Sequence, residues 1–270
     1  MKALLPYSFR RIAMIVSAVA MTALVAGCGT SRETTGSIAK SGNMRVDSMT
    51  QPELNSAARE LGYAYTKDTT NRDTALRYAN VLQMQGKSDQ SLAVMRKLVI
   101  AHPKDRAVLA AYGKALAAVG ELEPALDAVR RAQTPEYPDW KLVSAEAAIL
   151  DQLGQSNAAR ELYRKALDMK PNEPSVLSNL GMSYVLGGDL KTAETYLRQA
   201  AQQPGADSRV RQNLALVVGL QGRFEEAREI AGRELSPEQA EANMAYLRQM
   251  MAQQNAWSQI KEEDKKRKAN

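Results

Sequence analysis

Small and large apolar residues recur along most of the chain at a spacing of 34 positions, with polar residues between them. Each block holds a glycine, with a small residue seven positions before it and another five positions after it. The glycines are Gly86, Gly120, Gly154, Gly188 and Gly222. Large apolar residues, mainly four positions before the glycine and nine after it, are typical of amphipathic helices. Glycine is favoured where a helix ends in a left-handed conformation, so each block predicts two helices joined by a short turn.

The two columns of small residues predict where the paired helices approach most closely. The first column contains Ala79, Gly113, Ala147, Gly181 and Ala215, and the second contains Ser91, Ala125, Ala159, Ala193 and Ala227. A helical hairpin repeated at this spacing is the signature of the tetratricopeptide repeat (TPR). The predicted fold class is all-α, a TPR solenoid of about five helix-hairpin repeats with a half-repeat at the front and a C-terminal capping helix.

The period divides residues 52–257, the predicted TPR domain, into five full repeats and a partial unit at each end. The full repeats are placed at residues 72–105, 106–139, 140–173, 174–207 and 208–241. At the front, Ala57, Leu61 and Ala64 keep the spacing of a second helix of a hairpin. Residues 52–65 are therefore predicted to form a half-repeat.

The last repeat departs from the pattern, and the chain after it predicts one more helix. Arg211 and Glu234 occupy columns that are apolar in most other repeats, as expected where a terminal unit meets solvent. A capping helix is predicted over residues 237–257, with Ser236 as its N-cap. Its apolar stripe is Ala240, Met244, Leu247 and Met251. This helix either seals the last repeat or docks a partner with the help of Trp257. Residues 258–270 are predicted to form a disordered charged tail.

The N-terminal residues predict export and lipid anchoring. Residues 1–27 combine a basic start with a 15-residue apolar run, Ile12–Ala26, which is too short to span a membrane but suits a signal peptide. The sequence Val25-Ala26-Gly27-Cys28 resembles the bacterial lipobox. That resemblance implies a lipid on the Cys28 thiol, and Gly29 favours the outer membrane. The alternative is a simple signal peptide or membrane anchor in which the cysteine is incidental. Residues 28–51, rich in Ser, Thr and Gly, are predicted to be a flexible tether.

Composition excludes several classes of function. The net charge of +6 falls to about +3 when Lys2, Arg10 and Arg11 leave with the signal peptide, and the remaining charges are interspersed. This balance does not indicate a nucleic-acid partner. One cysteine and one histidine, His102, cannot form a zinc cluster, and we find no phosphate-binding loop or nucleophile motif. The sequence predicts no catalytic residue, no metal and no cofactor.

The first helices of the repeats are predicted to form a surface for partner binding. Asn179 and Asn213 occupy the same column of successive repeats and resemble asparagines that hold peptide backbone in peptide-binding TPR proteins. Lys114, Met182 and Gln212 are further groove candidates. The alternative is that these are ordinary polar residues of helices.

The region from the fifth repeat onward goes beyond a generic repeat. Four segments resemble the C-terminal part of TadD, the TPR lipoprotein of tight-adherence (Flp) pilus systems. They are Asn213–Ala227, Leu235–Gln239, Ala242–Met250 and Asn255–Trp257. The resemblance implies a lipoprotein anchored to the outer membrane and facing the periplasm. It implies a protein-binding scaffold or pilotin-like factor, with the secretin or other pilus-assembly components as partners. The family supplies no catalytic residues.

Two other functions remain open on the sequence alone. In the first alternative, the chain is a lipoprotein scaffold of another envelope pathway, such as outer-membrane protein insertion, type IVa pilus biogenesis or peptidoglycan-enzyme recruitment. Alternatively, it is an envelope enzyme that uses its repeats for docking. The last option needs a separate catalytic domain, and the repeats occupy nearly all of the mature chain.

Overall fold

The computed structural model describes residues 49–269 apart from Pro135 and Tyr137, with side chains as far as Gln253. This part of the chain forms helices in sequence order. They are α1 (Gln51–Lys67), α2 (Arg72–Met84), α3 (Ser88–Ala101), α4 (Arg106–Ala118), α5 (Leu122–Ala132), α6 (Trp140–Gln152), α7 (Ser156–Met169), α8 (Pro174–Leu186), α9 (Leu190–Ala201), α10 (Ser208–Leu220), α11 (Phe224–Ala231) and α12 (Pro237–Ala269). The predicted all-α TPR fold class is confirmed.

The first helices of the five repeats begin at residues 72, 106, 140, 174 and 208, which reproduces the period of the sequence. Polar residues immediately before them explain this regularity. The side chains of Asn71, Asp105, Asp139 and Asp207 each accept a hydrogen bond from a backbone N–H in the first turn of the helix that follows. Such capping satisfies donors that have no partner within the helix. The fourth start has Glu173 and no side-chain cap, but Pro174 at the first position favours helix initiation.

The turn glycines adopt the conformation that the sequence predicts. Each of the five glycines in the ladder has a φ between 73° and 83°, a left-handed conformation that residues with a Cβ rarely adopt. The close approach predicted at Gly181 is also present. A Cβ there would lie 2.8 Å from Leu197 Cγ and 3.1 Å from the Ala193 carbonyl oxygen. Only glycine fits this position without displacing α9.

The described part of the chain divides into two compact units, with the boundary between Leu162 and Tyr163, inside α7. In the first unit, each of the helices α1 to α5 packs on the one that follows it, so that the series ends at α6. In the second unit, α8 to α12 pack in the same consecutive manner. Alanine, leucine and valine form most of the core of each unit, as the low aromatic content requires.

The C-terminal helix caps the last repeat. Ala240, Met244 and Leu247 are almost fully buried, and Ala240 joins a buried cluster with Ala215 and Ala231. This packing favours the sealing role over partner docking for the inner face of α12.

The structure corrects the predicted end of this helix. It continues through Ala269, whereas the sequence predicted an end near residue 257 and a disordered tail over 258–270. Residues 258–269 contain no proline or glycine and are rich in lysine and glutamate, both strong helix formers, which explains the continuation.

The predicted signal peptide, Cys28 and nearly all of the tether lie outside the described residues. Within the described residues, none of the helices is both long and apolar enough to span a membrane.

Candidate partner-binding surface

Four of the five predicted groove residues lie on two neighbouring helices of the second unit. Asn179 and Met182 are on α8, Gln212 and Asn213 are on α10, and these two first helices pack directly against each other. All four side chains are half-buried. The structure therefore brings these four residues onto adjacent helices, where one extended partner segment could contact them.

The fifth candidate, Lys114, is not part of this cluster. It is exposed and lies on α4 in the first unit. Its position in α4 corresponds to that of Met182 in α8, two repeats later. The candidate surface is therefore described from the second unit alone.

Local hydrogen bonds hold two of the four side chains in place. The Asn213 Nδ2 donates to Ser178 Oγ on the preceding repeat at 3.1 Å, and Ser178 is only 3% exposed. The Gln212 Nε2 donates to Ser208 Oγ at 2.9 Å within α10. Each amide keeps one N–H and its oxygen for a partner. Asn179 forms no hydrogen bond with its side chain among the described residues, so its whole amide is available.

An apolar strip continues from these amides along both helices. Four half-buried side chains form this strip: Met182 and Leu186 on α8, and Leu216 and Leu220 on α10. The two residues of each pair are four positions apart, which places them on one face of their helix. The leucines were missed by the sequence analysis, although the step of one repeat from Met182 to Leu216 indicates them. The surface thus offers amide groups for peptide backbone and an apolar strip for side chains, with no carboxylate among these named residues.

A column of arginines on the second helices, also missed from the sequence, joins successive repeats. Its members, one in each of four consecutive repeats, are Arg96, Arg130, Arg164 and Arg198. Their partners in the following repeat are Glu121 at 2.6 Å, Glu146 at 2.8 Å, the Tyr184 hydroxyl at 3.1 Å and Glu226 at 2.5 Å. A guanidinium presents several donors in a fixed plane and so suits such bridges. Because every arginine in this column is paired, we infer that the column holds successive repeats together and does not bind a partner.

The strongest electrostatic perturbation lies between the fourth and fifth repeats. Glu194 on α9 accepts hydrogen bonds from Arg223, from Gln221 Nε2 at 2.7 Å and from Arg198 at 2.7 Å. The bond from Arg223 is the main cause that lowers the pKa of Glu194 from its ordinary 4.5 to about 2, against the opposing effect of burial. This carboxylate stays ionised near neutral pH and ties the fourth repeat to the turn of the fifth.

Comparison with known proteins agrees with this architecture. Sequence models of the tetratricopeptide repeat match residues 76–139, 144–208 and 209–233, which together are more than half of the chain. The chain belongs to the tetratricopeptide repeat family. No curated protein sequence matches it. As a TPR protein, it is a scaffold for protein interactions.

Several solved TPR structures share the fold. PilW, a widely conserved type IV pilus biogenesis factor, has a TM-score of 0.56 and 18% identity over 74% of this chain and 91% of PilW. TTC0263, a thermophilic TPR protein of Thermus thermophilus, has a TM-score of 0.58 and 21% identity over 65% of this chain and 97% of its own. The APC/C hetero-tetramer Cut9–Hcn1 has a TM-score of 0.59 and 15% identity over 77% of this chain and 40% of that chain. At these identities the likeness concerns the fold.

Proposed function

We propose that this TPR protein is a lipoprotein of the outer membrane that assists assembly of a tight-adherence pilus secretin, as a protein-binding scaffold or pilotin-like factor. The observation that carries the proposal is the C-terminal motif in segments 213–227, 235–239, 242–250 and 255–257. Generic repeat columns do not assign a pathway, whereas this motif resembles one lipoprotein family.

The described segments of the motif form one structural unit with an inner face. Gly219 on α10 lies so close to α12 that a Cβ there would be 2.4 Å from Leu247 Cδ2. Leu247 is 4% exposed, and Ala227 of α11 is fully buried. The inner side of the motif is therefore explained by packing: it attaches the capping helix to the last repeat.

Within the part of the chain whose side chains are described, the outer face of the same helix has no such role in packing. Tyr246 is 55% exposed, and Asn243 and Gln249 are exposed beside it at i, i+3 spacing. Tyrosine supplies a large amphipathic contact and is enriched at protein interfaces. This strip on α12, defined by Asn243, Tyr246 and Gln249, is the part of the motif that is available to a secretin or another pilus component.

Two further observations support the proposal. Cys28 in its lipobox-like context would receive lipid, which would confine the protein to the membrane surface and raise its effective concentration near a membrane-bound partner. PilW supplies the precedent that a stack of similar size serves pilus biogenesis. The surface of α8 and α10 then provides a second contact, with Asn179 and Asn213 as its polar residues.

The test is a pull-down of envelope proteins with the full lipidated protein, its Tyr246→Ala variant and a matched control. Tyr63→Ala is that control, because Tyr63 is 67% exposed on α1 and lies outside the motif. We expect the parent and Tyr63→Ala to enrich the secretin and Tyr246→Ala to recover clearly less. If the parent protein enriched no secretin and no other pilus component, the assignment to pilus assembly would be wrong. If the protein instead enriched components of outer-membrane protein insertion, or peptidoglycan enzymes, it would be assigned to that envelope pathway.

A further inference from the structure

The front helix α1 has an apolar face that the described residues leave partly open. Helix α1 occupies the place of a second helix, and Ala57, Leu61 and Ala64 lie one repeat before Ser91, Met95 and Leu98. Those three counterparts are 2%, 0% and 0% exposed. In contrast, Ala57 and Leu61 are half-buried and Ala64 is exposed.

The same three positions are covered in nearly all later second helices. Those almost fully buried are Ala125, Val129, Ala132, Ala159, Tyr163, Ala166, Ala193, Leu197, Ala200, Ala227 and Ala231. In complete repeats the covering element is the first helix of the same hairpin, as the contact of Gly181 with Leu197 shows. Any element that covers α1 in this way must come from residues before Met49 or from another molecule.

The start of α1 is built so that the preceding chain enters at a defined angle. Thr50 and Glu53 form a capping box, with the Thr50 N–H donating to Glu53 Oε2 at 2.7 Å. Met49, just before the cap, is half-buried, and Leu54, at the fourth helical position, is 3% exposed. Apolar residues at these two positions match the pattern of a hydrophobic staple, which fixes the entry of the chain into a helix.

We propose that residues 38–48 of this chain pack along the open face of α1 and complete the front of the stack. Ile38, Met44 and Val46 are the large apolar residues of this segment. They would cover the open face formed by Ala57, Leu61 and Ala64.

The lengths are compatible with this arrangement. Eleven residues reach up to about 35 Å when extended, and the 17-residue helix α1 is about 25 Å long.

The open face fits an attached segment better than a second copy of the chain. The segment is joined to α1 through Met49 and Thr50 alone, and short links give effective concentrations of about millimolar. A stable dimer buries about 800 Å² of each partner, far more than one leucine and two alanines offer.

Docking of this segment shortens the tether, a consequence that rests on lipidation of Cys28. The free part would be residues 29–37, which reach about 30 Å when extended. The front of the first unit would then be held close to the lipid surface.

The experiment measures the reactivity of a single cysteine on the open face. Ala64→Cys is introduced into the mature chain with Cys28→Ser, because Cys28 is the sole native cysteine. The same chain with Ile38→Asp, Met44→Asp and Val46→Asp is the comparison. We expect a thiol reagent to modify the cysteine about tenfold more slowly in the first chain, because docking limits reaction to the fraction of time when the segment is open.

The control is Ile100→Cys in the same two chains, since Ile100 is 80% exposed on α3. Its rate should be equal in both, which shows that the three aspartates do not change the reaction of an exposed thiol. Equal thermal melts of the two chains show that the fold is intact. Equal rates at Ala64→Cys in the two chains would overturn the proposal. Protection that rises with protein concentration and survives the three aspartates would also overturn it, since a second copy would then cover α1.

Discussion

The fourth and fifth repeats share a register but end differently, and the difference shows how the stack is terminated. In the fourth repeat, Leu177 and Ala200 form a buried apolar cluster with Val210 of the next repeat. In the fifth repeat, the positions of Leu177 and Ala200 are taken by Arg211 and Glu234, which form an ion pair. An internal repeat thus presents an apolar edge to its successor, whereas the terminal repeat has a partly buried ion pair at the same positions.

The second helices differ in the same sense. Helix α9 has 12 residues and α11 has 8, after which the chain turns into α12. The short helix lets the chain reach the side of the last repeat, where Leu247 packs against Gly219. Termination therefore combines two changes: an apolar pair becomes an ion pair, and a truncated helix gives way to a cap.

Moving the terminal ion pair into the fourth repeat should have the largest effect. Leu177→Arg with Ala200→Glu places two charges where the native side chains are 2% and 0% exposed. We expect a loss of at least about 3 kcal/mol in the free energy of unfolding, because desolvating both charges costs more than their attraction returns. Urea denaturation of the purified TPR body measures this.

The reverse exchange, Arg211→Leu with Glu234→Ala, is the matched control. We expect it to change the free energy of unfolding by less than about 1 kcal/mol, since well-packed apolar residues replace ion pairs at little or no cost. A large loss here would show that the ion pair is needed for folding and not only for termination.

Two of the close-packed glycines, Gly181 and Gly219, should respond differently to replacement by leucine. Gly181→Leu must displace Leu197 and the backbone carbonyl of Ala193, so we expect a loss of about 1–3 kcal/mol or more. Gly219→Leu meets the end of the Leu247 side chain, which can move, and should mainly loosen α12. Thermal melts measure the first effect, and hydrogen exchange of α12 measures the second.

Ala242→Leu, at an exposed position of α12, is the control for adding a leucine to a helix. If Gly181→Leu melted like the parent protein, the register of the fourth repeat would be wrong.

The link between the fourth and fifth repeats should weaken at acid pH. The pKa of Glu194 is lowered to about 2, chiefly by the hydrogen bond from Arg223. A carboxyl with a lowered folded-state pKa contributes stability above its unfolded value, and this is lost as pH falls through the folded value. The free energy of unfolding should therefore decline as pH falls from about 4.5 towards about 2.

Glu194→Gln should flatten this decline, as measured by urea denaturation across pH 2–5. Glu229→Gln is the comparison, because Glu229 is an exposed residue of α11. If both variants followed the parent curve, Glu194 would not be the group responsible.

Replacing each asparagine of the candidate surface should change the stability of the protein by a different amount, and these are the smallest of the expected effects. Asn213→Ala removes the hydrogen bond to Ser178 and should cost about 0.5–1.5 kcal/mol. Asn179→Ala removes no hydrogen bond within the described residues and should leave the melt close to that of the parent.

Together, Asn179→Ala and Asn213→Ala should weaken capture of the secretin while the body stays folded. The loss of one backbone contact in a buried groove costs about 1–3 kcal/mol. Full secretin recovery with this double variant would remove both residues from the binding surface. A melt of the same preparation separates lost binding from lost structure.

The periodic part of the fold was predictable because each of its requirements is local. Helix starts need a capping side chain such as Asp105, and turns need a left-handed residue such as Gly188. Close helix pairs need a small residue such as Gly181. These demands recur in every repeat and so leave a visible record in the sequence. The terminal departures at Arg211 and Glu234 were visible for the same reason.

The contacts between repeats were not predictable, because they depend on which side chains face each other after packing. The arginine column from Arg96 to Arg198 is periodic, yet its partners are glutamates from different positions and one tyrosine. The bond from Asn213 to Ser178 likewise needed the second unit to be assembled. Groove candidates were chosen by their column in the repeat, and these bonds determine which of their polar groups are left for a partner.

The sequence alone determined the helical hairpin, its period, the number of repeats and the place where the pattern stops. The tertiary structure decided that the inner face of α12 is a cap and that its helix continues to Ala269. Among the residues from Met49 onward, it also left Ala57, Leu61 and Ala64 partly open at the front. The physical reason is that helix formation and turns follow from neighbours along the chain, whereas burial at the two ends depends on whether another element comes to lie against them.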